Sequence, residues 1–312
     1  MRICFTITFL WGLSFWSCSQ QSSLNYERSE EGYLLRDGEQ PILFFQVKPK
    51  TVDGKFERSG YVHPLYNWSG DTLTQDSPPD HPHHRGVFWA WHQVLWNGSV
   101  VGDSWISHKI RFLPGNNQVV LGTWDMSLES ELIWVADSIS AGDKSLIREQ
   151  LKIIVHKAAV DYRLIDFSIK LSPLKDSVAI GGSDDAKGYG GFSMRWKLPA
   201  DLQFTSGGVL LQPRETAVEG EPWISFTGSF TGIKKESVAL LCKAAYPGSR
   251  QNWILRGPKE LSMQNAVYPG SVPTILPKTG LHLSYRMVVQ KKVLPEEVIK
   301  KLFNEYQQEP DS

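Results

Sequence analysis

The sequence predicts an all-β fold, a large antiparallel β-sandwich closed by one short C-terminal helix. Three observations carry this expectation. First, Arg163, Ile165, Phe167, Ile169 and Leu171 alternate with Tyr162, Leu164, Asp166, Ser168 and Lys170, and Leu281, Leu283, Tyr285, Met287 and Val289 alternate likewise with His282, Ser284, Arg286 and Gln290. That period of two gives each strand one buried and one wetter face. Second, no long segment before residue 295 repeats every 3.6 residues and no β-α-β alternation occurs, which favours antiparallel over parallel sheets. Third, the 312 residues are 41% apolar and 12% aromatic, enough for a large core and rich in rings that suit strands.

At the N-terminus, Arg2 and the apolar run 3–16 have the order of an export signal, too short to cross a bilayer. Ser17-Cys18 followed by Ser19, Gln20, Gln21, Ser22 and Ser23 fits a lipoprotein signal, with Cys18 acylated, residues 19–29 a flexible tether and residues 30–312 a single domain. The chain is then expected in a bacterial cell envelope, in the periplasm or at the outer membrane. Further strands are expected at 41–47, 86–96, 119–126, 146–156, 209–212, 223–230 and 238–243, separated by turn residues such as Pro114-Gly115-Asn116-Asn117. Cys242 lies in an apolar strand and reads as a buried structural thiol. A helix is expected over about 295–307, because Pro295-Glu296-Glu297 opens it and Val298, Leu302 and Tyr306 share one face.

Thirty-three basic side chains balance thirty-three acidic ones. No global field is available to recruit nucleic acid, and membrane contact is expected only through the N-terminal lipid anchor.

Five of the eight histidines, His63, His81, His83, His84 and His92, fall between residues 63 and 92. Within Asp80-His81-Pro82-His83-His84-Arg85-Gly86, Pro82 favours an extended backbone that puts His81 and His83 on one face. Three readings stand side by side. The imidazoles can simply satisfy buried carbonyls. His81 and His83 can ligate a divalent metal, completed by His63, His92, Asp76 or Asp80. Or one histidine can move a proton near neutral pH while Arg85 stabilises an oxyanion or holds a carboxylate. Gly181–Arg195 reads as a loop closing on a ligand with Asp185, Lys187, Tyr189 and Arg195 as its polar groups. Tyr246–Arg256 reads as a lining of the same cleft or as a surface turn.

Ser59-Gly60-Tyr61-Val62-His63-Pro64-Leu65-Tyr66, the His-rich motif 80–86, Lys187-Gly188-Tyr189-Gly190-Gly191-Phe192 and Trp223-Ile224-Ser225-Phe226-Thr227-Gly228 resemble the signature of a bacterial family of unknown function carrying the label methane oxygenase, PmoA type. The likeness extends over most of residues 30–290. It implies a supersandwich-like fold similar to sugar mutarotases and polysaccharide lyases, and exported proteins set among carbohydrate-degrading systems. True methane oxygenase subunits span the membrane many times, and this chain has no second apolar run of sufficient length.

The expected function is an exported carbohydrate-active enzyme, a lyase or dehydratase or else a hydrolase, acting on an oligosaccharide or glycoside. Its candidate catalytic residues are His63, His81, His83, His84, Arg85 and His92. Trp89, Trp91, Asp185, Lys187, Tyr189, Arg195 and Arg256 are the candidate substrate-binding residues, with Trp89, Trp91 or Tyr189 stacking on a sugar ring. Two other classes remain open: a sugar-binding lipoprotein without turnover, and a His-ligated metal-dependent oxygenase.

Overall fold

The computed structural model describes residues 24–232, 234–243, 250–260 and 262–310. The expected signal peptide, the lipidation site Cys18 and residues 246–249 of the segment Tyr246–Arg256 lie outside these.

Two nine-stranded antiparallel sheets form the sandwich. The first runs, edge to edge, through Leu24–Arg28, Gly32–Asp37, Gln40–Gln46, Tyr61–Leu65, Val87–Trp91, Gly190–Met194, Gln264–Val267, Gln251–Ile254 and Val218–Gly220. The second runs through Ile110–Leu121, Asp125–Ala136, Ser145–His156, Tyr162–Pro173, Leu281–Gln290, Glu236–Lys243, Trp223–Gly228, Gln203–Ser206 and Val209–Leu211. A four-stranded sheet that includes Gln93–Trp96 and Val178–Gly181, and a hairpin of Lys50–Val52 with Lys55–Arg58, flank them.

The alternations read from the sequence hold where they were clearest. Ile165, Phe167, Ile169 and Leu171 on one strand and Leu283, Tyr285, Met287 and Val289 on its neighbour all face the main core between the sheets. Cys242 is buried there too, and burial pushes its thiol well above the usual range, so it behaves as a small apolar side chain. The helix spans Glu296–Gln308 and lays Ile299, Leu302 and Tyr306 on Trp223, Ala239, Leu241 and Val288, the outer face of the second sheet. Val298, expected at the centre of that face, is at its margin and Ile299 takes its place.

Several boundaries depart from expectation for local reasons. Leu24–Arg28, assigned to the tether, is an edge strand paired with Gly32–Asp37. Pro114–Asn117 is a bulge inside the long strand Ile110–Leu121 and not a turn; the turn falls later, so the expected strand 119–126 straddles it. Expected strand 86–96 breaks at His92, because Ser104 and Trp105 donate their backbone N–H groups to the Trp91 carbonyl, and Gln93–Trp96 passes into the smaller sheet. Of the glycine-rich stretch 181–195, only the middle is a loop: Gly190–Met194 is a fully buried central strand.

Candidate functional site

Val87–Trp91 shows how the sequence builds the site. Its alternation sends Val87, Trp89 and Trp91 into the main core and Phe88 and Ala90 to the outer face of the first sheet. There Phe88 and Ala90 join Tyr61, Trp105 and Met263 in a small second core, with Tyr189 packed against it. The residues flanking four adjacent strands meet over this patch: the His-rich loop before Val87–Trp91, Lys187 to Tyr189 before Gly190–Met194, Ser262 before Gln264–Val267, and Arg256 after Gln251–Ile254. Gly86 admits the loop because a Cβ there would lie 2.3 Å from the Val62 carbonyl oxygen, closer than any side chain tolerates.

Four imidazoles converge. His81 stacks on His84 with ring centres 4.5 Å apart and planes 3° from parallel, and His83 meets His84 edge-on at 4.6 Å. Trp105 links the cluster together, 6.2 Å from His84, 5.1 Å from His92 and 5.6 Å from Tyr189. His92 Nδ1 lies 2.8 Å from Asp103, while Asp103 also accepts the backbone N–H groups of Trp105 and Ile106. His63 stands apart: its Nδ1 is 3.0 Å from the Thr74 hydroxyl, and its charged neighbours are Asp76, Lys50, Arg85 and Lys197.

A cavity of about 590 Å³ opens beside the cluster, lined in part by His81, Lys187, Tyr189, Arg214, Arg256 and Ser262. His81 and Tyr189 are shared by the ring cluster and the cavity. His81 Nδ1 is 2.8 Å from Asp80 Oδ2, and the same oxygen accepts from the buried Arg195 guanidinium at 2.6 Å. Burial works to raise Asp80, but the hydrogen bonds from His81 and Arg195 and the charge of Arg195 hold it below the usual carboxylate range. An ionised carboxylate only accepts, so Nδ1 carries the proton and Nε2 is the nitrogen left to exchange one. The Arg256 guanidinium lies over the Tyr189 ring, 5.5 Å from its centre, and Ser262 lines the cavity beside it; burial pushes the phenol up, against the Arg256 charge. Arg256 also donates to the carbonyls of Arg214, Leu255 and Glu215, so it fixes one cavity wall while covering the ring.

Other expected site residues take different roles. Trp89 and Trp91 are 1% and 0% exposed and cannot stack on a sugar. Their indole N–H groups donate to Glu149, itself pushed up by burial to about 7, and to the Tyr268 carbonyl. Arg85, 1% exposed, does not reach the cavity. Its guanidinium lies over Tyr61 and donates to Asp76, Ser77 and the Lys50 and Phe56 carbonyls, tying the Lys50–Arg58 hairpin to the His-rich loop. Arg195 is equally buried and bonds Gln75 and Asp80, so it orients His81 from behind. Asp185 braces its own loop through Ser183 and the backbone N–H groups of Lys187 and Gly188, where Gly188 has φ +64°. Arg85→Ala is therefore expected to lower stability by about 2 kcal/mol, measured by denaturant melts, with activity per folded molecule little changed.

Sequence reasoning missed Trp105, Ser262, Arg214, Glu215 and Glu260, of which all but Trp105 line the cavity. Trp105 alone carried a signal, as an aromatic residue among polar ones shortly after the His-rich strand.

The expected metal pair, His81 and His83, has ring centres 5.8 Å apart and planes 74° apart. His81 Nδ1 is already engaged by Asp80, and among the described residues no three His, Cys, Asp or Glu side chains are grouped to hold a cation.

Burial pushes His63, His83 and His84 down, and His83 reaches about 4, helped by the charges of His81 and His92. Their unfolded counterparts take up protons near 6.5. Between those limits the unfolded chain binds more protons than the folded one, so stability is full above 6.5 and falls as the pH drops towards 4. Denaturant midpoints followed across this range should decline steadily for the natural protein and less steeply for His83→Gln.

A family model described as "Family of unknown function (DUF6807)" matches residues 32–304. No curated protein matches the chain. Among solved structures, a crystal structure of a heparan sulfate lyase HepC mutant from Pedobacter heparinus is similar at 10% identity with a TM-score of 0.39, over 89% of this chain and 37% of the other. The chain thus spans little more than a third of that lyase. The matched description gives no activity, and neither finding extends the methane oxygenase label to this protein.

Proposed function

This chain belongs to a family of unknown function, DUF6807, and we propose that it is a carbohydrate-active enzyme that breaks a C–O bond of a carboxylate-bearing sugar by elimination. The observation that carries this reading is the pairing, on one cavity, of His81 backed by Asp80 and Arg195 with Tyr189 under the Arg256 guanidinium. His81 removes, through Nε2, the proton on the carbon beside the carboxylate. The electron pair of that C–H bond becomes a C=C bond as the neighbouring C–O bond breaks. Tyr189, whose phenol burial pushes up, gives its proton to the departing oxygen, and the Arg256 guanidinium over its ring stabilises the phenolate that remains. Lys187 and Arg214 line the same space and suit the negative charge that grows on the substrate carboxylate. No water enters the products.

The cavity wall supports an enzyme over a passive sugar-binding module. Tyr189 is the one Phe, Tyr or Trp among the described residues of its lining, with the tryptophans expected as platforms buried elsewhere. Hydrolysis has one specific observation in its favour, two carboxylates, Glu215 and Glu260, on the same cavity. Glu260 is partly engaged, since it accepts the Gly257 backbone N–H at 2.7 Å.

Incubation with defined oligosaccharides, with and without uronate units, tests the proposal by product mass. Elimination gives fragments that sum to the substrate mass and a new absorbance from a conjugated alkene. A gain of one water would overturn elimination and point to Glu215 and Glu260. Saturable binding with no turnover of any uronate-containing substrate would overturn the enzyme.

A further inference from the structure

One end of the sandwich gathers exposed apolar side chains on three neighbouring turns. They follow Ile110–Leu121, Ser145–His156 and Leu281–Gln290, and strand pairing sets them side by side through Asp125 with His156 and Tyr162 with Gln290. Backbone bonds join them further: Lys157 N–H donates to the Trp124 carbonyl and Lys291 N–H to the Asp161 carbonyl, each at 2.8 Å. Trp124 is 69% exposed and Val160 82%, with Val120, Leu121 and Val293 also exposed. An indole and four aliphatic side chains at one tip are more than the scattered apolar exposure of an ordinary surface.

Cations surround this tip. Lys157 lies over the Trp124 ring at 5.3 Å and Lys291 over the Trp68 ring at 5.4 Å, while Lys292 pairs with Asp161 and the buried Arg163 with Asp37. The described chain also enters here, because Leu24 pairs with Asp37 and Asp37 bonds Arg163 at the start of the strand that leaves the 157–161 turn. Only residues 17–23 separate Leu24 from the apolar run 3–16, a span of at most about 25 Å.

We propose that this end is a docking surface for a phospholipid bilayer. Trp124, Val160 and their apolar neighbours enter the headgroup boundary, the lysines meet anionic phosphates, and the lipid expected on Cys18, within that same span of Leu24, holds the tip within reach. The proposal is independent of the chemistry of the cavity.

Hydrogen exchange of the full chain bound to vesicles of phosphatidylglycerol and phosphatidylethanolamine tests it. Amides of residues 122–124 and 157–161 are expected to exchange several-fold more slowly than in vesicle-free protein, while the turn at 137–144, at the opposite end, is unchanged. In the double variant Trp124→Glu with Val160→Glu that slowing disappears, with core exchange as the control for folding. Equal slowing at both ends, no slowing at all, or the same slowing in concentrated protein without vesicles would each overturn the bilayer assignment, the last in favour of self-association.

Discussion

Tyr189→Phe is expected to lower turnover by about 10²–10⁴-fold while leaving the melting curve and KM close to those of the natural protein. The substitution removes one oxygen. The ring keeps its packing against Trp105 and the outer core, and Arg256 keeps the carbonyls of Arg214, Leu255 and Glu215 as acceptors. No buried charge is stranded, so the fold loses little. The leaving oxygen, however, loses its proton donor, and a sugar alkoxide does not depart unaided near neutral pH. Ser262→Ala, which removes a hydroxyl from the same cavity wall, should show a smaller loss of turnover. Turnover within a factor of a few of natural for Tyr189→Phe would remove this phenol from the chemistry and, with it, the assignment of acid and base.

The contrast between Tyr189 and Arg85 shows which parts of the site were legible from sequence. Clustering in sequence became clustering in space: His81, His83, His84 and His92 converge, because a short proline-containing loop runs straight into Val87–Trp91, the strand that ends just before His92. Residue type alone then misled. Arg85 sits beside the histidines in sequence, yet its guanidinium points to the hairpin behind them, and no periodicity reports the direction of a loop residue. Trp89 and Trp91 were a different matter. The alternation that made Val87–Trp91 a strand already put both indoles on the face opposite Phe88 and Ala90, so the core assignment could have been read.

The remaining cavity residues had no such signal. Ser262, Arg214, Glu215 and Glu260 lie on turns between short strands, remote in sequence from the histidines. What brings them to His81 is the strand order of the first sheet, in which Val87–Trp91 neighbours Gly190–Met194 and then Gln264–Val267 and Gln251–Ile254. Long-range order of this kind follows from which faces bury best against which, and not from any local pattern. The overall class was legible for the converse reason, since period two is a local property of each long strand.

The same logic of burial makes the opposite side of the molecule the place where one substitution should cost most in stability. Arg286→Ala is expected to destabilise the protein by about 3–5 kcal/mol. The guanidinium is 2% exposed. It grips both oxygens of the buried Asp166 at 2.6 and 2.7 Å, reaches Glu309 beyond the C-terminal helix at 2.7 and 2.8 Å, and lies 4.3 Å from the centre of the Tyr306 ring. Removing it leaves Asp166 with His156 as its remaining side-chain partner, at 2.6 Å, and loosens the helix that covers Trp223 and Leu241. The pH dependence identifies the cause. Burial works to raise Asp166, but hydrogen bonds from Arg286 and His156 hold it below its ordinary value. Its contribution is therefore present above its unfolded pKa of about 3.9 and is lost as the pH falls through the lower folded value. The stability gap between natural protein and Arg286→Ala, measured by urea unfolding, should be widest near neutrality and narrow in acid. The double replacement Arg286→Met with Asp166→Leu, which strands no charge, should cost less than Arg286→Ala alone; a gap that stayed constant with pH would show that lost packing on Tyr306, and not the ion pair, holds the helix in place.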